Sequence, residues 1–190
     1  GLASYYVLQD GQRTGEITTD AQKAGFGIFG SALQKNRGGI SSELRIKRVD
    51  LSVLFTYGIG AKAYDGTAFK RDDDGFFPQF TSTKAQLNPW TPNNTSAKVP
   101  IRVNGNSSFS NDISTRHLHS GDYLKLRNLR IGYTFPTSKH LRAAKIYLQA
   151  DNLLLWTEID DYDPEAVVNG VNLFQTPTSR SLMLGVQFSI

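Results

Sequence analysis

From residue 180 to 190 the chain runs R-S-L-M-L-G-V-Q-F-S-I, so that Leu182, Leu184, Val186, Phe188 and Ile190 alternate with Ser181, Met183, Gly185, Gln187 and Ser189. A strict two-residue period marks a strand with one apolar and one polar face. Its length matches the roughly 9–11 residues that carry a tilted strand across a bilayer. The same period recurs upstream. Over 39–47, Ile40, Leu44 and Ile46 oppose Glu43, Arg45 and Lys47; after a tight turn near Arg48 and Val49, the segment 50–60 sets Leu51, Val53, Phe55, Tyr57 and Ile59 against Ser52, Thr56, Gly58 and Gly60. Two long strands joined by almost nothing predict a hairpin. Over 123–135, Leu129, Ile131, Tyr133 and Phe135 oppose Asn128, Arg130, Gly132 and Thr134. Near Lys125 and Arg127 the polarity changes sides, as expected where a strand rises above lipid and its outer face can carry charge. Pro136 ends this strand. The segment 145–157 then sets Ile146, Leu148, Ala150, Leu154 and Trp156 against Lys145, Tyr147, Gln149 and Asp151, with Asn152 the one polar residue on the apolar face.

The connections are unequal. Residues 1–37 are polar and turn-rich, with one short strand predicted near Tyr5 to Gln9 and loop otherwise. Residues 61–121 hold no sustained period, only D-D-D-G at 72–75, the aromatics Phe76, Phe77 and Phe80, and W-T-P-N-N at 90–94. About sixty structureless residues are out of place in a compact soluble domain. Outer-membrane barrels, by contrast, pair short periplasmic turns with long extracellular loops. After Gly39 the connections run short, long, short and medium, which orients the segments alternately down and up and brings the last one down to a periplasmic C-terminus. Tyr133 and Phe135 at a lower end and Trp156 at an upper end suit the aromatic girdles of such barrels.

Composition narrows the choice further. Eight Tyr and eleven Phe against one Met favour β structure. Zero cysteine removes disulfides, Cys-ligated zinc and thiol catalysis. The net charge of +4 is small and its basic residues are dispersed, so nucleic acid is not an expected partner. No apolar run approaches the roughly 20 residues of a spanning helix. No signal peptide opens the chain, so the expectation is a mature N-terminus or one internal to a longer protein.

In succession and spacing, several pieces resemble one family: G-S-A-L-Q-K-N-R-G-G (30–39), D-L-S-V-L-F-T-Y-G-I-G-A-K-A-Y-D (50–65), W-T-P-N-N (90–94), G-D-Y-L-K-L-R-N-L-R-I-G-Y-T-F-P (121–136), I-Y-L-Q-A-D-N-L-L-L-W-T (146–157), Y-D-P-E (162–165) and the closing strand. The chain is similar to the SusC/RagA-like, TonB-linked outer-membrane receptors of Bacteroidota. The resemblance implies an all-β fold: the C-terminal strands of a large antiparallel transmembrane β-barrel of about 22 strands with a plugged lumen. It also implies that the plug, the TonB-contacting region and the N-terminal extension lie outside these residues. Five such strands cannot close, and an open edge in lipid is costly, so the remainder of the barrel is an expected partner. TonB, a SusD-like surface lipoprotein, outer-membrane lipid and an oligomeric nutrient, glycan rather than peptide, are the others. Import of this kind is not catalysis, and no cofactor is implied.

Within that frame the candidate residues divide by position. Glu43, Arg45, Lys47, Arg130, Lys145, Tyr147, Gln149 and Asp151 are expected to face the lumen, where charges need interior partners. Phe76, Phe77, Phe80 and Trp90 are the candidates for contact with substrate or lid, because exposed aromatics stack on sugars or fill pockets of a partner; packing of the loop on itself is the plainer alternative. Asp72, Asp73 and Asp74 offer oxygens of the kind calcium takes, but a solvated charge run is the expectation. Asp160, Asp161, Asp163 and Glu165 around Y-D-P-E are read as a loop corner. His117 and His119 are spaced for a shared metal on an extended segment, yet lack a third ligand and are read as surface residues; neither a metal site nor a catalytic carboxylate pair is assigned. The rival to an importer is a soluble or surface β-sandwich module whose apolar faces form a core; a passive porin is a third reading.

Overall fold

A computed structural model describes residues 3–72, 75–80, 82–102, 112–136 and 143–189. Its elements in chain order are β1 (Tyr5–Gln9), β2 (Gln12–Thr18), α1 (Ala21–Ala24), β3 (Asn36–Ile46), β4 (Val49–Ile59), β5 (Lys62–Asp65), α2 (Gly66–Arg71), β6 (Leu118–Ser120), β7 (Tyr123–Thr134), β8 (Ala143–Thr157), β9 (Val171–Asn172) and β10 (Ser181–Ser189), with short 3₁₀ turns between some of them. They fall into two units. One comprises Ser31–Ala63, His119–Gly170 and Gln175–Ile190; the other comprises Gly1–Gly30, Tyr64–Leu118 and Val171–Phe174.

The first unit is built on a five-stranded antiparallel sheet in the order β10-β8-β7-β4-β3. Ile46 pairs with Val49, leaving Lys47 and Arg48 as the whole β3–β4 turn. Because directly paired residues share a face, the two-residue periods of neighbouring strands reinforce one another. Leu184, Leu148, Ile131, Leu51 and Leu44 form one apolar row across all five strands, and Val186, Ile146, Tyr133, Val49 and Ile46 form the next. This face is uncovered: Leu182 and Leu184 are each 71% exposed, Phe188 67% and Ile131 46%. The small core of the unit lies elsewhere, where Ala63, Ile159 and Tyr162 pack together with Val167 against them.

The change of polarity near Lys125 and Arg127 has a cause other than the one the sequence suggested. Leu54 pairs with Asn128 while Phe55 pairs with Leu126, so Arg127 is an extra residue in β7, a β-bulge. The opposite strand is also irregular, since Asn128 pairs with Asp151 and Leu126 with Leu154. One inserted residue shifts the side-chain period by one. Leu126 and Leu124 therefore continue the apolar face that Leu129 leaves, and Lys125, opposite Thr56, stays on the polar one. The outer face does not become charged. Asn152 is likewise not on the apolar face: it adopts a left-handed backbone (φ 52°) within the irregularity, and its side chain meets Arg127 and Ser179.

In the second unit, β1 and β2 form a hairpin closed by Asp10 and Gly11, both left-handed (φ 52° and 76°) as a type I′ turn requires. The segment Q-R-T-G-E-I-T alternates nothing, so the second strand of this hairpin leaves no period in the sequence. The stretch expected to be structureless also holds short elements. Asp65 caps α2, its carboxylate accepting from the N–H groups of Thr67 at 3.0 Å and Ala68 at 2.9 Å. Tyr64 and Asp65 pair in parallel with Val171 and Asn172 of β9. Each element is too short to show a period.

Candidate functional site

On the sheet's polar face the pairing brings together residues distant in sequence. Glu43, Ser52, Arg130, Gln149 and Met183 form one row, and Arg45, Asp50, Gly132, Tyr147 and Gly185 the next. Lys145 Nζ lies 2.7 Å from Asp50 Oδ1, an ion pair that spans β8 and β4 over the glycine of β7. Gly132 leaves room for the pair, since a Cβ would lie 2.6 Å from Lys145 Cε and 2.7 Å from Asp50 Oδ2 and would make these side-chain ends shift. The Arg130 guanidinium sits 4.0 Å from the Tyr147 ring centroid. Asp151 accepts from Asn128 at 2.6 Å and from Ser181 at 3.1 Å. Lys47 alone of the eight expected residues is off the strands, in the turn with φ 54°. Sequence reasoning missed Asp50, the first residue of the predicted strand 50–60, because its partner Lys145 lies across β7 and leaves no mark beside it in the sequence.

Tyr147 lies across Gly185, where a Cβ would come within 2.2 Å of the ring. Gly185→Ala is therefore expected to push the ring off Arg130 and to destabilise the protein by about 1–2 kcal/mol, the range of modest overpacking. In a Tyr147→Ala background the same change is expected to cost little. Denaturant midpoints of the four variants measure that coupling, and additive costs would refute the contact.

Above the bulge, charges converge. The Lys125 ammonium, buried to 3% side-chain exposure, contacts the Asp163 carboxylate, itself 5% exposed, and reaches Glu165 Oε2 at 3.2 Å. Arg127 Nη2 is 2.7 Å from Glu165 Oε1. Thr178 Oγ1 donates to Asp163 Oδ2 at 2.7 Å, and the Glu165 N–H donates to Asp163 Oδ1 at 3.0 Å. Burial alone pushes the Asp163 carboxyl upward, but the hydrogen bonds from Lys125, Thr178 and the Glu165 amide, with the Lys125 charge, outweigh it and hold the group below its ordinary value. The Y-D-P-E segment is thus a loop corner with a defined anchor. Asp163 caps the 3₁₀ turn Pro164–Ala166, while Asp160 and Asp161 are exposed.

In the other unit, the loop aromatics form a chain of ring contacts. Phe69 meets Phe77 at 5.9 Å, Phe77 meets Phe76 at 5.0 Å and Phe80 at 6.1 Å, and Phe80 stacks on Phe174 at 5.4 Å. The Lys70 ammonium is 5.2 Å from the Phe80 centroid. Phe76 and Phe174 remain half exposed. Trp90 is outside this chain; its N–H donates to Val99 O at 2.8 Å. Phe69, Lys70 and Phe174 were not legible because the loop folding that gathers them follows no period. His117 is not a surface residue as expected: it is buried and edge-on to Tyr64 and Phe69 at 6.3 and 6.0 Å. Burial and then the Asp65 carboxylate raise the Tyr64 phenol above its ordinary value, against a smaller opposing effect of Arg116. Asp72 accepts from Thr83 Oγ1 at 2.6 Å, and Asp73 and Asp74 lie outside the described residues. Among the described residues no three His, Asp or Glu side chains converge as metal ligands.

No family model matches the chain. It is 28% identical over 183 residues to TonB-dependent receptor P3 of Formosa agariphila, covering 94% of this chain and 17% of that protein. It is 27% identical over 202 residues to TonB-dependent receptor P26 of the same organism, covering 98% and 19%. Among solved structures it superposes on the RagAB peptide importer in its closed-closed state with a TM-score of 0.78 at 26% identity, covering 97% of this chain and 21% of that one. The open-open state gives 0.77 at the same identity. In sequence and fold alike, the chain is similar to SusC/RagA-like TonB-linked receptors over nearly its whole length, and it spans about a fifth of theirs.

Proposed function

We propose that this chain is the C-terminal part of the barrel wall of a SusC/RagA-like outer-membrane importer, which takes up an oligomeric nutrient in a TonB-dependent manner together with a SusD-like surface lipoprotein. The observation that carries the reading is the five-stranded sheet on which two apolar rows run unbroken from β10 to β3, with Leu184, Leu148, Ile131, Val49 and Leu44 exposed on successive strands. In water such a face is a liability; in a bilayer it is the wall's outer surface. The strands run 9 to 15 residues, enough to cross. Short connections then mark the periplasmic side, and the ion-paired corner the extracellular side. The polar rows centred on Arg130 and Asp50 face the lumen in this arrangement. Arg130 stacked on Tyr147 and the Lys145–Asp50 pair are the polar groups that this face offers to an interior plug. Phe76, Phe77 and Phe80, extended by Phe174, offer stacking faces to cargo or lid.

The test uses the full-length receptor. It is expected in the outer-membrane fraction, released only by detergent, and deletion of its gene is expected to abolish growth on one class of oligomer while growth on the monomer persists. Parallel cultures on glycans and on peptides separate the two cargo classes. Recovery of the full-length protein in the aqueous phase would overturn the importer reading in favour of a β-sandwich module.

A further inference from the structure

The apolar face carries a groove of about 290 Å³, lined chiefly by Val49, Ile131, Tyr133, Ile146, Leu148 and Leu184. It lies toward the β3–β4 turn, because Val49 is the first residue after that turn. The turn itself is two adjacent cations, Lys47 and Arg48, both exposed. It is fastened to the sheet: the Thr134 N–H donates to Arg48 O at 2.8 Å. Tyr133 and Phe135 pack edge-to-face beside it, ring centroids 5.1 Å apart. A tyrosine, with its apolar ring and polar hydroxyl, settles at the headgroup level of a membrane. An apolar groove therefore opens beside a turn that carries two exposed positive charges.

The backbone of the turn adds an independent observation. Lys47 has φ 54°, a conformation that glycine or asparagine adopts at little cost and that a long side chain resists. From the groove, the two cations and this strained residue, we infer that the structure holds a binding site for an anionic two-chain phospholipid of the phosphatidylglycerol type, its phosphate at Lys47 and Arg48 and an acyl chain along Ile131 and Leu184. The inference rests on the reading of the sheet as a membrane wall.

The experiment is native mass spectrometry of the full-length receptor in detergent, titrated with phosphatidylglycerol and, separately, phosphatidylethanolamine. The wild type is expected to retain one phosphatidylglycerol more tightly than any phosphatidylethanolamine. Lys47→Asn with Arg48→Gln removes both charges while relaxing the turn; retention is expected to fall about thirtyfold, about fivefold for each lost cation near a membrane surface. Leu184→Trp, which fills the groove and keeps the charges, is expected to expel the same lipid. Equal retention by the wild type and the charge variant, or loss in the charge variant but not in Leu184→Trp, would overturn the site, the latter by reducing it to surface attraction. Failure of the membrane reading shows earlier and separately, as a receptor that needs no detergent.

Discussion

Replacing Lys125 with methionine in the full-length protein is expected to lower its stability by about 3–5 kcal/mol, the cost of leaving a buried carboxylate without its counter-charge. Methionine fills nearly the same volume, so packing changes little. Asp163, at 5% side-chain exposure, would keep only the Thr178 hydroxyl and the Glu165 amide as partners. Arg127 cannot replace the lysine, since its guanidinium is engaged by Glu165 and Asn152. Adding Asp163→Asn to Lys125→Met should recover part of the loss, because a neutral amide tolerates burial that a carboxylate does not. Urea midpoints of the detergent-folded protein measure all three states. A Lys125→Met midpoint within about 1 kcal/mol of wild type would show that the pair is not buried in the assembled protein.

The same group sets a pH dependence whose sign follows from its direction of shift. Asp163 is held below its ordinary value in the folded chain, so the unfolded state takes up its proton first as pH falls. Its contribution is complete above about pH 4 and disappears only as pH drops through the depressed folded value. The corner around Pro164–Ala166 should accordingly keep its protection from hydrogen exchange from neutral pH down to about pH 4 and lose it below. Release of that corner between pH 5 and 7 would contradict the geometry.

Why these charges were invisible as a cluster is a matter of separation. The five strands were legible because side-chain alternation is a local signal, repeated in each segment and needing no knowledge of its neighbours. Even their limits moved by only a few residues. The Lys125–Asp163 pair, in contrast, joins positions 38 apart through the path of a loop, and neither residue carries a mark of burial in its own neighbourhood. The bulge at Arg127 shows a related limit. Its trace in the sequence, a reversal of polarity, was visible, but one inserted residue and a change of solvent produce the same trace; only the register Leu54 to Asn128 and Phe55 to Leu126 separates them. Asp50 was hidden for the same reason, since Lys145 reaches it across β7. The loop aromatics lie between: Phe76, Phe77 and Phe80 stand out by composition, whereas Phe174 enters only because the loop after β9 folds back onto Phe80.

Arginine placed at successive levels of the apolar face should trace out the bilayer. Leu129 stands midway between the Tyr133 level and the Trp156 level, in the row Leu182, Ala150, Leu129, Val53, and Leu129→Arg is expected to destabilise the receptor by about 2–4 kcal/mol, as for cations at the midplane of a barrel's lipid face. Leu124→Arg, opposite Trp156, lies near the aqueous boundary, where the long side chain can reach water, and should cost about 0–1 kcal/mol. Met183→Arg sits on the other face, level with Gln149, and should also cost little because that face is polar. A soluble sandwich predicts another profile: its core is driest where the packed residues are largest, so the penalty would not follow distance between two aromatic levels. Unfolding titrations of the three variants in lipid vesicles give the comparison directly. Equal penalties at Leu129 and Leu124 would mean that the face meets protein rather than hydrocarbon, and the importer reading would then fail at its physical root.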